Sequence, residues 1–257
     1  MKVRGTVTLG VAAVALILTD LVQRVGVVLL LRLLPSRRHR ILARWQQFMA
    51  DLMIVIVRRV GGARIPDPPR IPGGEGVLVL MNHQSLLDIP LVVKALRPTY
   101  PRIVTRSRYA NGKPLISHMI RLYQYPTVDP TATSRGLLER LGATAAASPV
   151  PVAIYPEGGR TRTGAIGTFK RNGLRAILGA RQWEVWMLTA DGYWQCARAQ
   201  DFRSGVSGVR GAARVDGPFP APPPGAPLAE VDAFIDRMRA RMQASLAALR
   251  APVPPAP

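Results

Sequence analysis

At 257 residues the chain has room for one α/β domain with a sizeable core plus an appendage. Hydrophobic residues make up 48%, which excludes a disordered basic protein, and the formal net charge of +20 (35 Lys and Arg against 15 Asp and Glu) calls for an anionic partner. The arginines are dispersed, aromatics are only 6% and apolar runs are abundant, so a membrane surface suits that charge better than nucleic acid, and one cysteine, Cys196, excludes an internal disulfide or a Cys-based metal cluster.

Residues 7–18 form a nearly uncharged run, and 25–34 a second one broken only by Arg32, with Asp20, Gln23 and Arg24 between them. Lys2 and Arg4 precede the apolar core as in a signal peptide, but no Ala-x-Ala-type cleavage site follows. Two membrane geometries remain open. A single helix over 6–34 would run about 43 Å, with Asp20 and Arg24 near its middle at a spacing that lets them pair. Alternatively the segment dips into one leaflet and returns, so that its polar middle or its ends stay wet. After Pro35, the cluster Ser36-Arg37-Arg38-His39-Arg40 suits lipid headgroups. Over 41–60, Ile41, Trp45, Phe48, Met49, Leu52, Met53, Ile56 and Val60 recur at helical spacing, as in a core helix or an interfacial one.

Residues 61–76 are rich in Pro and Gly and read as a linker. Beyond them strand-like runs (77–80, 102–105, 150–155, 184–188, 209–215) alternate with helical stretches (89–96, 115–122, 134–147, 170–180), and 228–250 is strongly amphipathic. The expectation is an α/β fold, a mixed sheet covered by helices, with an N-terminal membrane-associated helical region. Residues 1–60 are then the anchoring helices, 61–250 the catalytic domain and 251–257 a disordered Pro-rich tail. No G-x-S-x-G, P-loop or G-x-G-x-x-G occurs.

His83 follows the apolar run Val77-Leu78-Val79-Leu80, and Asp88 comes five residues later with Pro90 close behind, a pattern compatible with a helix start. If Asp88 accepts the Nδ1 hydrogen of His83, the other ring nitrogen is left basic and outward. That pair takes a proton from a hydroxyl and needs no serine or cysteine when the hydroxyl belongs to a bound acceptor. The segment Tyr155-Pro156-Glu157-Gly158-Gly159-Arg160 leaves a second apolar run, 150–154. Its two glycines, Gly158 and Gly159, let backbone N–H groups approach an anion, and Arg160 can grip phosphate with two bonds. Glu157 is expected to fix Arg160 or an acceptor hydroxyl.

Asn82-His83-x4-Asp88, with Tyr155-Pro156-Glu157-Gly158-x-Arg160 and Phe169-Lys170 downstream, resembles the 1-acylglycerol-3-phosphate acyltransferase family of glycerolipid acyltransferases over roughly residues 60 to 215. The resemblance implies transfer of an acyl chain from acyl-CoA or acyl-carrier protein to the free hydroxyl of a lysolipid, with no metal, no cofactor and no covalent intermediate. His83 would be the base, Asp88 its orienting partner, and Asn82, Glu157, Gly158, Gly159 and Arg160 the substrate-site residues. Lys113 fits the position of a family lysine. The family's hydrophobic N-terminal region, which lets the active site reach lipid, matches residues 3 to 60; with the single cysteine, the expectation is a membrane-anchored protein whose catalytic part faces the cytoplasm. The middle motif departs from the pattern: the arginine expected after an apolar-Asp pair is Pro130, after Val128-Asp129, and position 159 is Gly rather than Thr. Lysophosphatidic acid is the first acceptor implied, with a lyso-aminolipid or another lysophospholipid as the alternative. A non-catalytic basic protein that binds lipid or nucleic acid is the reading from another class.

Overall fold

The structure is a computed structural model that describes residues 2–112, 116–129 and 135–251. The N-terminal segment is helical throughout. Helix α1 (Lys2–Val22), a π-helical turn (Gln23–Val27) and α2 (Val28–Leu33) form one rod of about 48 Å at about 1.5 Å per residue. The rod does not reverse at its polar middle; Asp20 and Arg24 pair across one turn at 2.9 Å. The widened turn carries Gln23, fully buried, whose Oε1 accepts from Trp45 Nε1 at 3.0 Å and whose Nε2 meets His118 Nδ1 at 2.9 Å. Val7, Val14, Ile17, Leu21, Val25, Leu29 and Leu33 face outward. Among the described residues this is the one helix long and apolar enough to cross a membrane.

A turn at Pro35–Arg37 leads into α3 (Arg38–Arg59). Its buried face is Leu42, Gln46, Met49, Ala50, Ile54 and Val57, while Phe48 and Val55 are about half exposed. The expected stripe is therefore split. The helix packs against α1 on one side and the helix Asp88–Ala95 on the other, so burial follows two contacts rather than one face. The Pro/Gly segment after it is no free linker: Ile65 and Ile71 are buried and Ile71 N–H donates to Ala95 O at 2.8 Å.

The remaining elements are β1 (Val77–Met81), α4 (Asp88–Ala95), β2 (Arg102–Ile103), β3 (Thr105–Arg106), α5 (Ile116–Tyr123), β4 (Thr127–Val128), α6 (Arg135–Ala146), β5 (Val152–Ile154), α7 (Arg171–Leu178), β6 (Glu184–Asp191), α8 (Phe202–Gly205), β7 (Ala212–Pro220) and α9 (Leu228–Arg250). The main sheet runs β2-β5-β1-β6-β7, parallel except for β7, which lies antiparallel on β6. Strand β1 sits at its centre with all five residues buried. Its side chains alternate between two cores: Val77, Val79 and Met81 join Ile54, Val57 and Leu91, whereas Leu78 and Leu80 join Leu174, Trp183, Phe234 and Met242. Burying both faces is why this run is continuously apolar.

Two expected strands change shape. The run 102–105 splits, its second half pairing with Thr127–Val128 in a separate two-stranded parallel ribbon. The last strand extends to Pro220, and its edge position tolerates Pro218 and Pro220 because neither must donate to an inner neighbour. Residues 252–257 of the expected tail lie outside the described residues.

The start of α1 docks on α8 at Gly5, where an added Cβ would lie 2.2 Å from the Arg203 carbonyl oxygen. Gly5→Ala is thus expected to cost about 1–3 kcal/mol and lift the first turns of the rod. Faster tryptic cleavage at Arg4, outside any global loss of fold, would report it.

Candidate active site

Strand β1 delivers His83 to the carboxyl-terminal edge of the parallel sheet, where the crevices of open α/β folds lie. Asn82 is 1% exposed, and its amide is spent on the neighbouring strand: Nδ2 donates to Ala190 O and Oδ1 accepts from Ala190 N–H, both at 2.8 Å. It fixes the exit of β1 against β6 rather than reaching a substrate. Asp88 opens α4 and is fully buried. Its Oδ2 accepts three hydrogen bonds, from His83 Nδ1 at 2.8 Å, Gln84 N–H at 2.6 Å and Ser85 N–H at 2.8 Å. A five-residue spacing places the carboxylate there because the chain turns back at 84–87 before the helix begins. With two main-chain N–H groups already donating to Oδ2, that oxygen is an acceptor, and the ring meets it through Nδ1 as the donor. The His83 side chain is 17% exposed, and its Nε2 has no hydrogen-bond partner among the described residues.

The second motif cradles the first. Glu157 Oε1 accepts from His83 N–H at 2.9 Å, and Thr161 N–H donates to His83 O at 2.8 Å, so the histidine main chain is clamped at both ends. The Tyr155 ring stacks on the imidazole with centroids 4.1 Å apart and planes 21° apart. Burial pushes the Tyr155 phenol well above its ordinary range, with the Asp88 charge adding to the effect. Glu157 differs from expectation. Its second oxygen accepts from Gly167 N–H at 2.7 Å, so the carboxylate ties two backbone segments together rather than bonding Arg160. Arg160 instead donates to Ala197 O at 2.5 Å. Gly158 takes φ +68, a left-handed conformation that closes the turn onto Tyr155 O, and Gly159 follows it at the surface of the loop.

Burial raises the Glu157 carboxyl above its ordinary 4.5, against the pull of the two backbone donors. A raised folded-state value means the native protein binds this proton more tightly than the unfolded chain. Its contribution to stability is therefore present below the unfolded value and lost as pH rises through the folded one. Wild type should gain stability relative to Glu157→Gln as pH falls from neutrality toward about 4.5, read as the difference between their thermal midpoints. A difference that is flat across that window would contradict it.

Arg106 is a site residue that the sequence does not flag. It ends β3, its Nη2 donates to Gly158 O, and a Cβ on Gly159 would lie 3.4 Å from that nitrogen. A second guanidinium thus borders the glycine turn. Among so many dispersed arginines, the only sequence signal was its position at the end of an apolar run. Lys113 lies outside the described residues. Beneath the dyad, Gln84 joins Tyr193 N–H to Asp191, and Arg250 of α9 clasps Asp191 at 2.7 Å and Gly164 O at 2.9 Å. Arg239 of the same helix donates to Gly167 O at 2.9 Å. Cys196 is buried, its thiol pushed up to about 12 by burial, and its carbonyl takes the Ser85 hydroxyl. It packs in the core beside Tyr193, Phe202 and Val206.

Such a site brings together a histidine whose second ring nitrogen is unpartnered, two guanidinium groups beside a glycine turn and, among the described residues, no serine or cysteine side chain bonded to that histidine. The model of the Acyltransferase family matches residues 60–188. Among solved structures, the 1-acyl-sn-glycerophosphate (LPA) acyltransferase PlsC from Thermotoga maritima aligns over 95% of this chain and 99% of its own, with a TM-score of 0.54 and 16% identity, a likeness of fold. No curated protein matches the chain. The matched stretch holds His83, Asp88, Arg106, Glu157 and Arg160 together.

Proposed function

Since the chain belongs to the acyltransferase family, we propose that it is a membrane-bound O-acyltransferase, most simply one that converts lysophosphatidic acid to phosphatidic acid. The observation that carries this reading is the His83–Asp88 pair with its main chain clamped by the Glu157 loop. His83 Nε2 takes the proton of the acceptor hydroxyl as that oxygen attacks the thioester carbonyl of acyl-CoA or acyl-carrier protein. The imidazolium, facing the Asp88 anion, then gives its proton to the departing thiolate, so the base is restored and no covalent enzyme intermediate forms. Arg160, Arg106 and the N–H groups of the glycine turn hold the acceptor phosphate. The scheme asks for no metal or cofactor. The outward apolar side chains of the rod rest in lipid at the cytoplasmic face, which gives the site access to a substrate that does not leave the bilayer.

A lyso-aminolipid acceptor is the second reading, favoured by Val128-Asp129-Pro130 where an arginine is expected. The test offers lysophosphatidic acid, other lysophospholipids and a lyso-aminolipid separately to detergent-purified protein, with labelled acyl-CoA or acyl-carrier protein. Phosphatidic acid as the dominant product supports the first acceptor. Preference for the aminolipid replaces it, and no transfer to any acceptor by folded protein removes the catalytic reading.

A further inference from the structure

Far from the dyad, Arg38, His39 and Arg102 line an open cavity of about 680 Å³ with Gln124, Thr144 and Pro149. Arg102 pairs in register with Val152, and Val152 with Leu78, so the cavity lies at the amino-terminal edge of the sheet, opposite the edge that carries His83. Arg102 is 8% exposed. Its Nη2 donates to Gln124 Oε1 at 2.6 Å, yet its Nε is buried with no partner. Arg38 spends Nη2 on Leu122 O at 2.9 Å, and His39 Nδ1 meets the Tyr100 hydroxyl at 3.0 Å. Among the described residues no Asp or Glu lines the cavity.

A buried guanidinium without a carboxylate is costly, and a second cation beside it adds to the cost. Burial holds the Arg102 guanidinium below its usual range; the Tyr100 phenol opposes that lowering, Arg38 adds to it, and no carboxylate acts on it. Gln124, the one non-glycine residue at positive φ (54°) among the described residues, is held in a left-handed conformation that brings its side chain to Arg102. These features describe a charge arranged to receive an anion. Forked guanidinium groups match phosphate, and Arg38 opens a 22-residue helix whose N-terminus also favours negative charge. The apolar rod ends at Leu33, only five residues before Arg38, which puts the cavity next to the segment with the most exposed apolar surface.

We propose that this cavity is a phosphate site separate from the acyl-transfer centre, in which Arg102, Arg38 and His39 take the phosphate of an anionic lipid headgroup or free phosphate. Two arms on the full-length chain distinguish the sources. In one, inorganic phosphate is titrated calorimetrically into detergent-purified protein. In the other, flotation with phosphatidylcholine vesicles is compared with and without phosphatidylglycerol. Arg102→Gln and Arg38→Gln should each weaken phosphate-dependent binding about tenfold in at least one arm. Arg37→Gln combined with Arg40→Gln removes two exposed charges outside the cavity and should change the same readout less than about threefold. Loss in the vesicle arm alone names the headgroup, and loss with inorganic phosphate names the free ion. Unchanged binding in both variants, equal loss in the Arg37/Arg40 control, or no binding by wild type in either arm overturns the proposal. Should Arg102→Gln fail to fold, Arg38→Gln, which leaves the buried group in place, decides it alone.

Discussion

Alanine at position 83 should lower acyl transfer by about 10²–10⁴-fold while leaving the protein folded and its acceptor KM nearly unchanged. The kinetic loss follows from removing the group placed to take the hydroxyl proton: with Nδ1 engaged by Asp88, Nε2 is the basic atom of the pair left to face the acceptor. The fold should survive because the imidazole is not what satisfies Asp88. After its removal, Oδ2 still accepts from the Gln84 and Ser85 main chain, and the His83 backbone is still tied to Glu157 and Thr161. What is lost structurally is one charge-assisted bond and the stack on Tyr155, about 1–3 kcal/mol. Steady-state transfer and thermal unfolding, measured on the same preparation, separate these effects. A variant that keeps most of its activity would refute the base assignment.

Position 88 carries the larger structural effect. Asp88→Ala strips one oxygen from three donors and leaves two buried main-chain N–H groups unpaired, at about 1–3 kcal/mol each. The variant should therefore unfold at markedly lower temperature as well as lose activity. Asp88→Asn separates the two roles. Its amide oxygen still accepts main-chain bonds, so stability should fall less, but a neutral side chain no longer stabilises an imidazolium or enforces the Nδ1-protonated ring. Activity should drop at least about 10²-fold with the fold retained. An Asn variant with near-normal turnover would show that Asp88 is a helix-start residue with no part in orienting the base.

How much of this was legible in the sequence depended on whether a feature had a local cause. The pairing of His83 with Asp88 is set within six residues by one turn and one helix start, so the spacing marks it as a candidate, and the downstream Tyr155–Arg160 segment makes it persuasive. Helix 228–250 has enough turns to display its period, and its bounds match those expected. The two-residue strand Thr127–Val128 is too short to alternate, and the π-helical turn has no propensity signature. Glu157 shows the harder limit. Its neighbour Arg160 is the obvious partner in sequence, but burial places the carboxylate between two main-chain donors 74 and 10 residues away. Arg106 is hidden similarly, since only the pairing of β3 with β4 and the return of the glycine loop bring it to the site.

The double clamp on His83 also fixes when, during synthesis, this chain can become reactive. The histidine leaves the ribosome long before the loop that grips its N–H and C=O, and that loop is in turn tied down by Arg239 and Arg250 of α9. A nascent chain that ends before α9 therefore carries His83 and Asp88 without the frame that holds the histidine main chain in place. The order of the elements along the chain thus completes the frame around His83 only once α9 has emerged and closed over the loop.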